Sequence, residues 1–157
     1  MAVNSIKNRN YLDAISYAKE AIEMESESNL KASYYLILAD AYRSSGSFSS
    51  ARSSVYSALK YKKGWGEAYM SLGNIYVSGA KNCGEGFEMQ SVYWVAVDAY
   101  KKALNDSQTK KRASKAINTY SKYFPSKEDC FFGGFSSGDN YKVGCWINQS
   151  TSVRTSN

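Results

Sequence analysis

The stretch Tyr35-Leu36-Ile37-Leu38-Ala39-Asp40-Ala41-Tyr42 is answered further along by Tyr69-Met70-Ser71-Leu72-Gly73-Asn74-Ile75-Tyr76. Tyr35 maps to Tyr69, Leu38 to Leu72, Ala39 to Gly73 and Tyr42 to Tyr76, each 34 residues on. A large-x-x-large-small-x-x-aromatic spacing places four side chains on one helical face. The small residue lets a neighbouring helix approach closely. A repeat of this length predicts stacked helix pairs, in which each unit completes the core of the next.

A second pattern accompanies the first. Ala51, Val55 and Ala58 follow Ser45-Gly46-Ser47-Phe48, where glycine suits a turn between antiparallel helices. Ala14, Ala18 and Ala21 repeat the spacing after Asn10-Tyr11, and Ala96, Tyr100 and Ala103 repeat it again. First helices are predicted over residues 31–44 and 66–78, and second helices over 11–24, 49–61 and 91–104. A capping helix is predicted over 108–123, with Ala113, Ala116, Ile117 and Tyr120 on its apolar side. It ends at Phe124-Pro125, because the residue before proline resists helical geometry.

These residues resemble the tetratricopeptide repeat family. Its first helix carries a bulky aromatic, leucine, a small residue and tyrosine; its second carries alanine, an apolar residue and alanine. Lys63 stands where the family has a proline, and Gly64-Trp65-Gly66 supplies a helix stop instead. The resemblance implies an all-α fold of about two and a half antiparallel helix pairs in a superhelix, plus a cap. Residues 1–124 form this unit, and residues 125–157 an extension.

Two departures stand out. The unit containing Ala14 lacks its first helix. Either the chain is cut from a longer array, or a bare apolar face is left to pair elsewhere, including with a second copy. Between Tyr76 and Ala96 there are also about eleven residues more than the period allows, an insertion at about residues 79–90. It reads either as a functional loop or as a lengthened helix pair.

The tail changes period. Asn140–Ile147 is rich in strand formers, Asn148-Gln149-Ser150 reads as a turn, and Thr151–Thr155 as a returning strand. A hairpin is marginal alone, and Phe131, Phe132, Phe135 and Trp146 are the residues to pack it on the helices. Tyr123-Phe124-Pro125-Ser126-Lys127-Glu128-Asp129 with Gly144-Cys145-Trp146-Ile147 resembles the C-terminal extension of bacterial tetratricopeptide proteins, notably from the Bacteroidetes group. That resemblance implies no specific reaction.

Composition argues against catalysis. The chain has no histidine, which removes the commonest general base and metal ligand. No nucleophile stands beside a base in the sequence, and Gly64-Trp65-Gly66 and Gly84-Glu85-Gly86 are not phosphate loops. Cys83, Cys130 and Cys145 are too dispersed to predict a metal site, even with Glu128 or Asp129. No catalytic residue, metal or cofactor is therefore expected. A tail folded back over the last repeat would pair Cys83 with Cys145; otherwise all three cysteines are thiols, the usual state of a buried cysteine. The net charge of +6 comes from scattered lysines, densest at Lys110, Lys111, Arg112 and Lys115, and reads mainly as solvated helix surface. No apolar run spans a bilayer, and residues 1–10 hold no signal-like apolar stretch. The resemblance and a disulfide together would favour an extracytoplasmic location over a cytoplasmic one.

In the family resembled, first helices line a concave groove. Its lining here is Ser33, Leu36, Ile37, Asp40 and Arg43, then Glu67, Met70, Ser71, Asn74 and Val77. Asn74 stands where the family places a peptide-gripping asparagine, whose amide both donates and accepts. Leu36 and Met70 take the places of basic residues that would grip a terminal carboxylate, so a peptide with apolar anchors is expected. The functions this leaves are a peptide-binding scaffold, a spacer within a longer solenoid, and a weak polyanion or nucleic-acid binder.

Overall fold

Side-chain caps open some of the helices, at Asn10, Glu27 and Ser126. In the computed structural model, which describes residues 10–156, helix α1 spans Tyr11–Met24 and α2 spans Ser28–Ser44. Glu27 caps α2: its carboxylate accepts the amides of Asn29 at 2.8 Å and Leu30 at 2.7 Å, and these bonds hold it below the usual carboxylate range. Helices α3 (Phe48–Tyr61) and α4 (Gly66–Ser78) follow. Gly64, at φ +69°, makes the left-handed step after α3 that a β-carbon resists. One turn of 3-10 helix at Ala80–Cys83 leads to α5 (Gly86–Ala103) and then α6 (Lys110–Tyr120). A 3-10 turn at Ser121–Tyr123 joins α6 to the short α7 (Lys127–Phe132), and strands β1 (Asn140–Val143) and β2 (Gln149–Ser152) pair antiparallel. Among the described residues the chain is thus mostly helical, closed by a two-stranded hairpin.

From α1 to α6 each helix packs on the next, and α2 also touches α4. The in-phase positions form the core: Ala39, Ala51, Val55, Ala58, Tyr76, Ala96, Tyr100 and Ala103 are fully buried. Leu38 and Leu72 are nearly so. At Gly73 the neighbouring helix comes so close that a β-carbon would lie 2.4 Å from the Tyr100 ring.

Several expectations are corrected. Helix α5 starts at Gly86, not Ser91, so of the two readings of the insertion at 79–90 the structure favours the lengthened helix pair. The extra turn is held because Phe87 packs on Trp94, Phe135 and Tyr141. The first strand stops at Val143 rather than Ile147, and Gln149 and Ser150 lie in β2 rather than in a turn. Cys145 is bonded to Cys83 and Ile147 is buried in the helical core, so the chain leaves the ladder to reach them. Phe131 and Phe132 are 76% and 77% exposed and do not pack the hairpin, whereas Phe135 and Trp146 do face the core. Helix α7 was not expected, although Ser126 and Asp129 form a reciprocal capping box. Helix α1 buries Ala14, Ala18 and Ile22. Ala18 and Ile22 cluster with Leu38 of α2, whereas Leu12, Tyr17 and Met24 of the same helix are exposed. Whatever precedes Asn10 in that unit lies outside the described residues.

Gly73→Ala tests the close approach. The substitution should lower stability by about 2 kcal/mol, the usual cost of overpacking a core. Chemical denaturation reads this directly; an unchanged midpoint would show that Tyr100 yields freely.

Candidate functional site

Helix α2 and helix α4 carry the ten residues that the sequence assigns to a groove, and the structure divides them sharply. Their apolar members turn inward. Met70 is 8% exposed and belongs to the main core, while Leu36 and Val77 pack on its edge. Ile37 packs against the α1–α2 cluster of Ala18, Ile22 and Leu38. The apolar anchors expected for a partner are therefore largely occupied by the protein itself.

The polar members form short links along one face. Arg43 donates to the Asp40 carboxylate from Nε at 3.1 Å and Nη2 at 2.5 Å, and reaches Ser78 Oγ on α4 from Nη1 at 3.4 Å. Glu67 of α4 pairs with Arg112 of α6. Both ion pairs are partly solvated, so each contributes about 0.5 kcal/mol and acts mainly to fix side-chain positions. Ser33 donates to the Asn29 carbonyl at 3.0 Å, as a helical serine commonly does, and Ser71 is half-buried.

Asn74 differs from its neighbours. It is exposed, yet its Oδ1 accepts the Tyr100 hydroxyl at 2.8 Å. Tyr100 is fully buried, and burial followed by the nearby Tyr120 pushes its hydroxyl well above the usual tyrosine range. A fixed, protonated hydroxyl thus sets the orientation of a surface amide. Among the described residues nothing accepts from Asn74 Nδ2, which leaves two N–H donors directed at solvent.

Helix α6 extends this face. Ala113, Ala116, Ile117 and Tyr120 stand 44 residues after Tyr69, Leu72, Gly73 and Tyr76, a second-order repeat that the sequence reading treated only as a cap. A shallow groove of about 670 Å³ runs beside Lys110, Lys111, Ser114, Lys115, Asn118 and Lys122. Among the described residues no carboxylate lines it. Among the described residues no group of three Cys, Asp or Glu gathers as a metal site, and no helix is long and apolar enough to cross a membrane.

Cys83 and Cys145 form a disulfide with Cα atoms 5.3 Å apart, while Cys130 is a buried free thiol. Of the two states open for these cysteines, the structure holds the bonded one. No protein-family model matches the chain, and no curated protein matches its sequence.

Tyr100 and Tyr76 make stability depend on alkaline pH. Burial raises both hydroxyls, Tyr76 also through the neighbouring Tyr56. A tyrosine raised in the folded state keeps a proton that the unfolded chain releases above its ordinary value of 10.0. The unfolded state then binds fewer protons, so stability is intact below about pH 10 and falls as pH rises beyond it. Urea titrations at rising pH should show this fall, and Tyr100→Phe should flatten it; an equal slope in the variant would contradict the assignment.

Proposed function

We propose that this chain is a non-catalytic scaffold of tetratricopeptide type, with its helix pairs stacked as a superhelix. The face shared by α2, α4 and α6 holds an extended peptide segment. The observation that carries this reading is the Asn74–Tyr100 hydrogen bond, which fixes an exposed amide with its donors outward at the centre of that face. A preset donor loses little conformational freedom when it meets a peptide carbonyl. Apolar anchoring of the peptide has little support, because Leu36, Ile37, Met70 and Val77 pack internally. Polar recognition takes their place: Asn74 contacts the peptide backbone, and the lysines beside α6 suit acidic side chains. The disulfide supports an oxidising, extracytoplasmic setting.

The same inward packing favours a second reading, a spacer within a longer solenoid with no ligand of its own. A nucleic-acid binder has less support, since the groove beside α6 has no aromatic lining on which bases would stack.

Asn74→Asp separates these readings. It keeps an acceptor for Tyr100 and replaces the amide donors with an acceptor. Peptides selected from a displayed random library on the parent protein should bind the variant about tenfold more weakly, the value of one hydrogen bond, with an unchanged melting temperature. If the library yields no peptide, or the variant binds equally well, the spacer reading replaces the scaffold.

A further inference from the structure

The loop between β1 and β2, residues 144–148, reaches back across the molecule to the α3–α4 end. Trp146 lies between Phe48 and Tyr76, with ring centroids 5.6 Å and 5.8 Å away. Its indole N–H donates to the Gly79 carbonyl at 3.3 Å, and a β-carbon on Gly79 would lie 2.6 Å from its ring. Arg52 of α3 donates to the Ile147 carbonyl, and Tyr76 donates to Gln149 Oε1 at 2.9 Å. The loop is therefore a strap across two helix pairs, and the Cys83–Cys145 bond is its covalent tie.

Two features make that tie releasable. Cys145 is exposed and Cys83 only half-buried, so a soluble dithiol has access. The loop is also held in an unfavourable backbone shape at Cys145, whose φ of +50° lies in the left-handed region that a cysteine avoids, while Asn148 at +46° is a residue that tolerates it. The third cysteine does not interfere. Cys130 is buried in the separate Trp94–Phe124–Val153 cluster, and burial, then Asp129, raises its thiol, which suppresses exchange.

We propose that the Cys83–Cys145 bond is a redox-operated latch, whose reduction frees the β1–β2 loop and lifts Trp146 from the notch of Phe48, Tyr76 and Gly79. In the reduction a thiolate of a dithiol attacks the Cys145 sulfur, and Cys83 leaves as a thiolate that takes up a proton. The second thiol of the reductant then resolves the mixed disulfide, releasing the Cys145 thiol as the dithiol itself becomes a disulfide. Two electrons and two protons pass to the protein. Once untied, Cys145 returns to an extended or right-handed backbone, and the aromatic notch at the end of α4 opens to solvent. This inference does not depend on the scaffold reading.

Hydrogen exchange followed by mass spectrometry tests the latch in a Cys130→Ser background, comparing oxidised protein, protein reduced with dithiothreitol, and a Cys83→Ser/Cys145→Ser variant. Exchange across residues 144–149 should become about tenfold faster on reduction and in the variant, remain unchanged across residues 91–103, and recover on reoxidation. Unchanged exchange in the loop overturns the proposal, as does a bond that resists dithiothreitol in the folded protein. Acceleration that reaches α5, or a variant that fails to fold, also overturns it, because the bond is then a condition of the fold.

Discussion

The Tyr100 ring occupies the space that any side chain at residue 73 would need. This single approach sets the spacing of α4 and α5, and much else hangs from the same ring. Tyr120 of α6 stacks on it at 5.7 Å, and further out Tyr93 stacks on Tyr120 at 6.1 Å and on Tyr123 at 5.2 Å. Such stacked pairs add to simple burial. The hydroxyl of the same residue emerges at Asn74 and orients it. The packing of the last helix pair, the seating of α6 and the geometry of the surface amide are therefore consequences of one contact between a glycine and a tyrosine.

A second constraint concerns the tail, since a two-stranded hairpin is marginal by itself. A partly buried polar network holds it to α5. Arg154 pairs with Asp98 at 2.8 Å and donates to the Trp94 carbonyl at 2.8 Å, while Trp94 returns a bond from its indole to the Arg154 carbonyl. Thr151 completes the set on Asp98. Among the described residues no buried side-chain nitrogen or oxygen lacks a hydrogen-bond partner, which is the condition under which buried polar groups strengthen a fold rather than weaken it. Beneath it, Trp94, Val97, Phe124, Cys130 and Val153 form a second small core.

The helical order was legible because the 34-residue spacing of Tyr35, Leu38, Ala39 and Tyr42 reports on local periodicity, and its leucine and small positions are buried while Tyr35, Tyr42 and Tyr69 are half-buried at the edge. What escaped depends on contacts distant in sequence. Phe87 extends α5 because Phe135 and Tyr141 cover it, and no local pattern announces that. The strand at Asn140 ends early because Cys145 and Ile147 are drawn to residues far upstream. Helix α7 is the opposite case: the Ser126–Asp129 spacing carried the signal, and only its brevity concealed it. In the candidate face, the sequence located Asn74 correctly on α4 but had no means of seeing that Tyr100 holds it. Nor could it show that Met70 faces the core, since a helix hydrophobic on most sides gives no preferred direction.

Arrays of helix pairs are quasi-one-dimensional, because each unit touches only its neighbours and local contacts let them fold from many starting points. The strap removes that independence. Arg52 and Ile147, separated by 95 residues, meet through it, and Tyr76 and Gln149 meet across 73. Closing such loops is entropically costly until the helices between them are in place. The strap thus opposes fraying at the α3–α4 junction from a distant part of the sequence. Helix α3 and the tail, remote in sequence, are thereby held as neighbours, a tie that contacts between successive helices do not supply.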